Sequence, residues 1–266
     1  MISAFDLDRV GGRSFLRDLI SEVLAAGDDA LALERNGAAR RAMKKPDRSP
    51  VTEADEAVEK RIRAFLTSRV PDADFVGEET GTLDRGAALK FVVDPIDGTR
   101  AFLRGLPSWT ILIGLVADGV PSLGVALFPK TGDLLVAVRG EGATENGRPL
   151  RVSSIAKLED ALVCHGALSQ FRDAGMLDVL PCLAEGTYTQ RGFADFEGYR
   201  RVLRGEADAM IDPAVQPWDI CAAAVLIREA GGVFTGLDGS DSLTAGGLAS
   251  NGHVHDELLR AILKRP

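Results

Sequence analysis

The residues best placed to do chemistry are carboxylates at the ends of short apolar runs. Phe91-Val92-Val93 leads into Asp94-Pro95-Ile96-Asp97-Gly98-Thr99. Pro95 holds Asp94 in extended backbone, and Gly98 admits a sharp turn at positive φ. Asp94 and Asp97 can then converge, with the Ile96 carbonyl between them. An oxygen-only set of this kind suits Mg2+ better than zinc. Glu78 and Glu79 follow a second run, Asp74-Phe75-Val76-Gly77. If the two runs are neighbouring strands, Glu78 falls beside the aspartate pair. Carboxylates crowded in this way repel and raise one another's pKa, and a divalent cation relieves the repulsion. Asp219 stands in Gln216-Pro217-Trp218-Asp219, at the start of a helix, and Asp55 closes Thr52-Glu53-Ala54-Asp55. Each also has a plainer reading, as a local turn, a helix N-cap or a capping box with Asp in place of Glu.

The rest of the composition narrows the class. The chain has 266 residues and a net charge of −8. Nucleic acid is an unsuitable partner, because binding it requires Lys and Arg to neutralise phosphates. Cys164, Cys182 and Cys221 have no CxxC spacing, which argues against a disulfide framework or a thiolate zinc site. No further ligand motif accompanies the His253-Val254-His255 pair. Mean hydropathy is near zero, and no apolar run reaches the ~18 residues of a membrane span. Acid near the N-terminus, at Asp6 and Asp8, stands where a signal peptide carries base, so the expectation is a soluble cytoplasmic protein without a membrane partner. Arg35, Arg40, Arg41, Lys44, Lys45 and Arg48 form a basic stretch before Ser49-Pro50. It reads as a solvated loop or as a mobile flap over an anionic substrate.

These residues need elements to position them. Apolar spacing predicts a helix over 14–32, with Phe15, Leu19, Ile20, Val23 and Leu24 on one face, and a second from Thr52 with Ala57, Val58, Ile62 and Leu66 inward. Strand-like runs fall at 74–76, 91–93, 110–117, 122–128 and 134–138, with a turn at Asn146-Gly147. Beyond a connector at 149–157, strands are expected at 161–164, 187–190, 208–211 and 233–235. Helices are expected at 219–230, ended by Gly231-Gly232, and at about 254–264. Strands come in groups between helices, which predicts a layered α/β arrangement, not a Rossmann fold or a TIM barrel. The chain divides into an N-terminal half, 1–150, with most of the ligands, and a C-terminal half, 151–266, with Asp219 and the specificity residues.

Taken together, Ser49-Pro50-Val51-Thr52-Glu53-Ala54-Asp55, Gly77-Glu78-Glu79-Thr80, Asp94-Pro95-Ile96-Asp97-Gly98-Thr99, and Trp218-Asp219 followed by Ala222 to Gly232 resemble the inositol monophosphatase superfamily over nearly the whole chain. The resemblance implies an α/β (α+β) fold, the αβαβα sandwich shared with fructose-1,6-bisphosphatase. It also implies a phosphatase acting on a small phosphorylated metabolite, two to three Mg2+ ions, lithium sensitivity and a homodimer. By the same resemblance one ion would bind Glu78, Asp94 and the Ile96 carbonyl, a second Asp94, Asp97 and Asp219, and a weaker third Glu78. Asp55 and Thr99 would orient the attacking water, and the backbone at Gly98 and Thr99 would meet the phosphate.

Within the superfamily the chain is most similar to the histidinol-phosphate phosphatase branch. The carriers are Thr189-Gln190-Arg191-Gly192-Phe193-Ala194-Asp195-Phe196, Gly105-Leu106-Pro107 and Asn251-Gly252-His253-Val254-His255-Asp256. Arg191 and Asp195 place opposite charges on one loop, either to meet substrate or to pair with each other. Asp212 matches a position that touches substrate in the superfamily. Acids suit the ammonium and imidazole of histidinol phosphate. The chain departs from the branch at Ala194, Glu197 and Trp109-Thr110. The other readings are an inositol-1-monophosphatase or broad sugar-phosphate phosphatase, a 3′-phosphonucleotide phosphatase, and a metal-binding scaffold without activity.

Overall fold

The structure, a computed structural model, describes residues 3–38, 42–44 and 50–263. In chain order the elements are α1 (Gly12–Arg35), β1 (Met43–Lys44), β2 (Pro50–Val51), α2 (Glu53–Arg69), β3 (Asp74–Gly77), β4 (Thr82–Leu83), β5 (Leu89–Asp97), α3 (Thr99–Leu103), β6 (Thr110–Ala117), β7 (Val120–Phe128), β8 (Asp133–Val138), β9 (Gly142–Glu145) and β10 (Arg148–Pro149). The second half adds β11 (Leu162–His165), α4 (Leu168–Asp173), α5 (Val179–Gly186), β12 (Thr189–Arg191), α6 (Phe196–Leu203), β13 (Ala209–Asp212), α7 (Pro217–Glu229), β14 (Val233–Thr235), β15 (Gly247–Ser250) and α8 (His255–Leu263).

Five layers result. α1 and α2 pack together on one face of an eight-stranded sheet ordered β10-β9-β8-β7-β6-β5-β3-β4. α6 and α7 lie between that sheet and a five-stranded sheet ordered β12-β11-β13-β15-β14. α5 and α8 close the far side. This is the expected αβαβα sandwich. Three apolar clusters fill it: one under α1 and α2, one around α7, and one beneath α5 and α8.

The two helices between the sheets are fixed by unusually close or polar contacts. α7 reads Cys221-Ala222-Ala223-Ala224 where it crosses β6 and β7. The strands answer with Gly114 and Gly124. A Cβ on Gly114 would stand 2.3 Å from Cys221 Sγ, and one on Gly124 2.7 Å from the Ala222 carbonyl oxygen. α6 is tied to the large sheet by Arg200. Its guanidinium joins Asp133, Glu145 and Glu197 and stacks 4.3 Å from the Phe128 ring.

Several boundaries differ from the sequence reading. On α2 the buried face comprises Ala54, Asp55, Val58, Glu59, Ile62 and Leu66. Ala57 is therefore turned to solvent, and two acids share the stripe with the apolar residues. On α1 Leu24 is exposed, and Ala26, Gly27 and Ala30 are the residues that continue the buried face. β5 does not end at Asp94. It runs through Pro95 to Asp97, with a register shift against β6 between Asp94 and Asp97. A bulge is where a residue without an N–H is tolerated inside a sheet. The expected basic flap at 35–50 lies largely outside the described residues. Of it, Arg35 ends α1, and Met43–Lys44 pairs with Pro50–Val51.

Candidate active site

β3 and β5 run parallel, with Gly77 opposite Val93, so Glu78 emerges beside Asp94. The bulge in β5 turns Asp94 and Asp97 toward the same space, and Asp219 arrives from the first turn of α7. One ligand atom from each of these three aspartates falls within 4.8 Å of the others. Glu78, the Ile96 carbonyl segment, Gly98, Thr99, Asp195 and Asp212 join them around a cavity of about 160 Å³. Gly98, at φ 80°, makes the turn from β5 into α3.

The carboxylates of the centre also have structural duties, carried by one oxygen each. Asp55 Oδ2 accepts from the Thr52 amide (2.8 Å) and hydroxyl (2.6 Å), completing the capping box of α2. Its Oδ1 lies 3.5 Å from the Thr99 hydroxyl, which is 3.2 Å from the Ile96 carbonyl oxygen. Asp219 Oδ2 accepts from the Gln216 amide at 2.7 Å, capping α7. Asp97 Oδ2 accepts from the Thr110 hydroxyl (2.9 Å) and the Phe196 amide (2.8 Å). Asp94 Oδ1 accepts from the Ile96 amide at 3.0 Å. A helix cap and a metal ligand are therefore compatible roles for the same side chain.

Burial dominates the electrostatics. It pushes the Asp94 pKa well above the ordinary carboxylate range, with Glu78, Asp97 and Asp219 adding repulsion. Burial does the same for Asp97, helped by Asp195 and Asp219. Burial raises Asp55 to about 6. Asp219 also stands at about 6, raised by burial against the opposing Gln216 amide. Among the described residues no Lys or Arg closes an ion pair with Asp94, Asp97 or Asp219. Hard oxygen ligands, buried and mutually repelling without a cationic partner, fit a divalent cation.

The structure also brings in residues the sequence reading passed over. Glu59 is fully buried on α2, and its carboxylate accepts from the Glu79 amide (2.7 Å), the Thr80 amide (2.6 Å) and the Thr80 hydroxyl. It thereby grips the loop that presents Glu78. A Cβ on Gly77 would stand 2.1 Å from Glu59 Oε1. The available signal was an acid one position beyond Val58, on the apolar face of a helix. Arg100, Gln170 and Tyr199 line the cavity as well.

Asp195 and Asp212 reach the cavity, but Arg191 stays outside its lining. Arg191 is exposed at the edge strand β12 and donates to the Thr189 hydroxyl and the Gln190 carbonyl, both at 2.7 Å. The pair that was weighed between Arg191 and Asp195 is not formed, and Arg100 is the cation that eases the Asp195 carboxylate against its burial. His253 is exposed, while both ring nitrogens of His255 are engaged, by Ser250 (2.9 Å) and Thr235 (3.1 Å).

The sequence profile of the inositol monophosphatase family matches residues 14–265. A histidinol-phosphatase of Mycobacterium tuberculosis is 39% identical over 91% of this chain and 95% of its own. An inositol-1-monophosphatase of Synechocystis is 32% identical over 81% of this chain and 77% of its own. Among solved structures, the extragenic suppressor protein suhB of Bartonella henselae superposes with a TM-score of 0.83 at 28% identity, covering 94% of this chain and 98% of that one.

Proposed function

This chain belongs to the inositol monophosphatase family, and from that premise we propose that it hydrolyses L-histidinol phosphate to L-histidinol and phosphate with Mg2+. The observation that carries the substrate is the pair Asp195 and Asp212. They add two carboxylates to the cavity beyond the cluster of Asp94, Asp97 and Asp219. An ammonium or an imidazolium gains from such surroundings, whereas an inositol ring offers hydroxyls alone. The similarity to a protein named histidinol-phosphatase supports the same choice.

Glu78, Asp94, the Ile96 carbonyl, Asp97 and Asp219 are the residues that would hold two to three Mg2+ ions. When bound, these ions supply charge neutralisation of the phosphate and a more acidic water. The chain's own part is positioning. The Gly98–Thr99 turn offers backbone amides to the phosphate oxygens. The Thr99 hydroxyl, between the Ile96 carbonyl and Asp55 Oδ1, orients the attacking water and leads its proton toward Asp55. In-line displacement of this kind depends on placement and charge and needs no covalent intermediate on the protein. Family membership is what supports a homodimer, lithium sensitivity and a cytoplasmic location. Among the described residues no helix is long and apolar enough to cross a membrane.

Phosphate release from a panel of histidinol phosphate, inositol 1-phosphate and a 3′-phosphonucleotide, with Mg2+ and with EDTA, tests the proposal. Histidinol phosphate is expected to have the highest kcat/KM, with release lost in EDTA. Preference for inositol 1-phosphate would move the reading to that substrate. No release from any ester would leave a binding scaffold.

A further inference from the structure

The floor of the cavity, beside the aspartate cluster, is built around Asp212 at the end of β13. Asp212 is 3% exposed. Its Oδ1 and the hydroxyl of Tyr199 on α6 lie within reach of each other, yet neither oxygen closes a hydrogen bond of good geometry within the protein. Both residues line the cavity, as does Gln170 of α4.

Three features fix this arrangement. Gln170 Oε1 accepts from the Ala167 amide at 2.6 Å, so the amide nitrogen is the end left to face Asp212. The Tyr199 ring is held between Phe196 and Phe234, with centroids at 5.9 and 6.2 Å, and its hydroxyl lies 2.5 Å from where a Cβ on Gly247 would stand. Gly247 thus leaves room for the hydroxyl, and the two flanking rings hold the phenol in place. A Cβ on Gly166 would stand 2.4 Å from Asp212 Oδ1 and 2.5 Å from Gln170 Oε1. Gly166 thus keeps open the space in which these two side chains meet.

We propose that Gln170, Tyr199 and Gly166 are positioning residues that set specificity, by presenting Asp212 as the acceptor for a protonated amino group on the leaving alcohol. This rests on the reading of the chain as a phosphatase of an amino-alcohol ester. An ammonium carries three donors and no acceptor, which suits a carboxylate oxygen and a phenolic oxygen lying side by side. Asp195 and Asp219 face the same floor and add negative field, so a cation is favoured over a neutral hydroxyl. Among the described residues no Lys or Arg makes an ion pair with Asp212.

The test compares histidinol phosphate with its des-amino analogue in the Mg2+-loaded enzyme. Wild-type protein is expected to prefer the amino ester. In Tyr199→Phe and Gln170→Leu that preference is expected to shrink by about tenfold, because a site built around hydrogen bonds discriminates strongly against a ligand lacking them. The loss should appear mainly in KM. Gly166→Ala, checked for folding by circular dichroism, should act in the same direction. Binding of the two free alcohols in the presence of Mg2+ and inorganic phosphate gives the same comparison without turnover. A mistaken reading of the reaction therefore leaves the subsite tested. If wild-type protein treats the two esters and the two alcohols alike, or if the variants keep the full preference, the proposal is overturned while phosphatase activity can stand.

Discussion

A carboxylate has two oxygens, and at this centre they do different work. Asp55, Asp97 and Asp219 each commit Oδ2 to a cap or a loop. Asn keeps one acceptor but removes the charge, so substitutions here separate folding from chemistry. Asp94→Asn is expected to stay folded and to lose more than about 100-fold in kcat/KM, as for loss of a metal ligand. Phosphate release at limiting Mg2+ together with circular dichroism measures it, and near-normal turnover would remove Asp94 from the ligand set. Glu59→Gln should weaken Mg2+ by roughly 10–100-fold while leaving the ligands in place, as is usual for groups that orient ligands. A Mg2+ titration of activity reads that shift. The Asp94–Thr99 motif was legible in the sequence because its geometry is local: a proline, a glycine and two acids within six residues. Glu59, Thr110 and Tyr199 were not, because their roles depend on which distant segment each one faces.

Elements show the same division. Long periodic segments such as α1, β6 and β7 fall close to where alternation and helical spacing put them. β15 was missed because Gly-Leu-Ala-Ser has no β-branched residue, and it is a strand through its pairing with β13 and β14. α6 was missed although Phe196, Tyr199, Val202 and Leu203 fall at helical spacing behind an Asp cap. Asp195 has φ 58° and ψ −157°, a region that glycine tolerates and other residues occupy at a cost. The Phe196 amide bonded to Asp97 and the Arg200 ion pairs hold it there. Asp195→Gly is therefore expected to raise stability by about 1 kcal/mol net of glycine's entropy, roughly 2–4 °C in Tm, while lowering the preference for a cationic substrate. A fall in Tm by scanning calorimetry would mean the carboxylate contributes more than the strain costs. At the other end of the chain, burial lowers the pKa of His255 at the start of α8. A depressed histidine contributes stability that is fully present above the unfolded value of about 6.5 and is lost as pH falls through the folded value. The stability difference between wild type and His255→Gln should accordingly shrink as pH drops from 7 toward 5, read from denaturant unfolding at each pH.

At the scale of the molecule, the acidic centre makes stability depend on metal. Asp55 and Asp219, raised to about 6 in the ion-free protein from the ordinary 3.8, bind more protons folded than unfolded between those values. Ion-free stability from these groups is thus greatest below about pH 4 and falls as pH rises through 6. Divalent ions bind the ionised form and should restore it. Mg2+ is expected to raise Tm clearly at pH 8 and much less at pH 5. An equal shift at both values would count against ligation by these carboxylates.

The placement of α7 also has a consequence for synthesis on the ribosome. The large sheet is complete at Pro149, yet the face with Ala126, Phe128 and Leu135 is covered by α6 and α7, and its cover is finished only with residues 217–229. At about 5–20 residues per second, that face waits roughly 4–16 s for its cover. During that interval the nascent chain displays a wide apolar plane, an aggregation-prone surface of the kind that chaperones shelter. Chains released early, near residue 150, are expected to aggregate rather than persist as a soluble half. The last aspartate of the centre arrives with the same helix, so a truncated product is denied the cluster that would bind the ion.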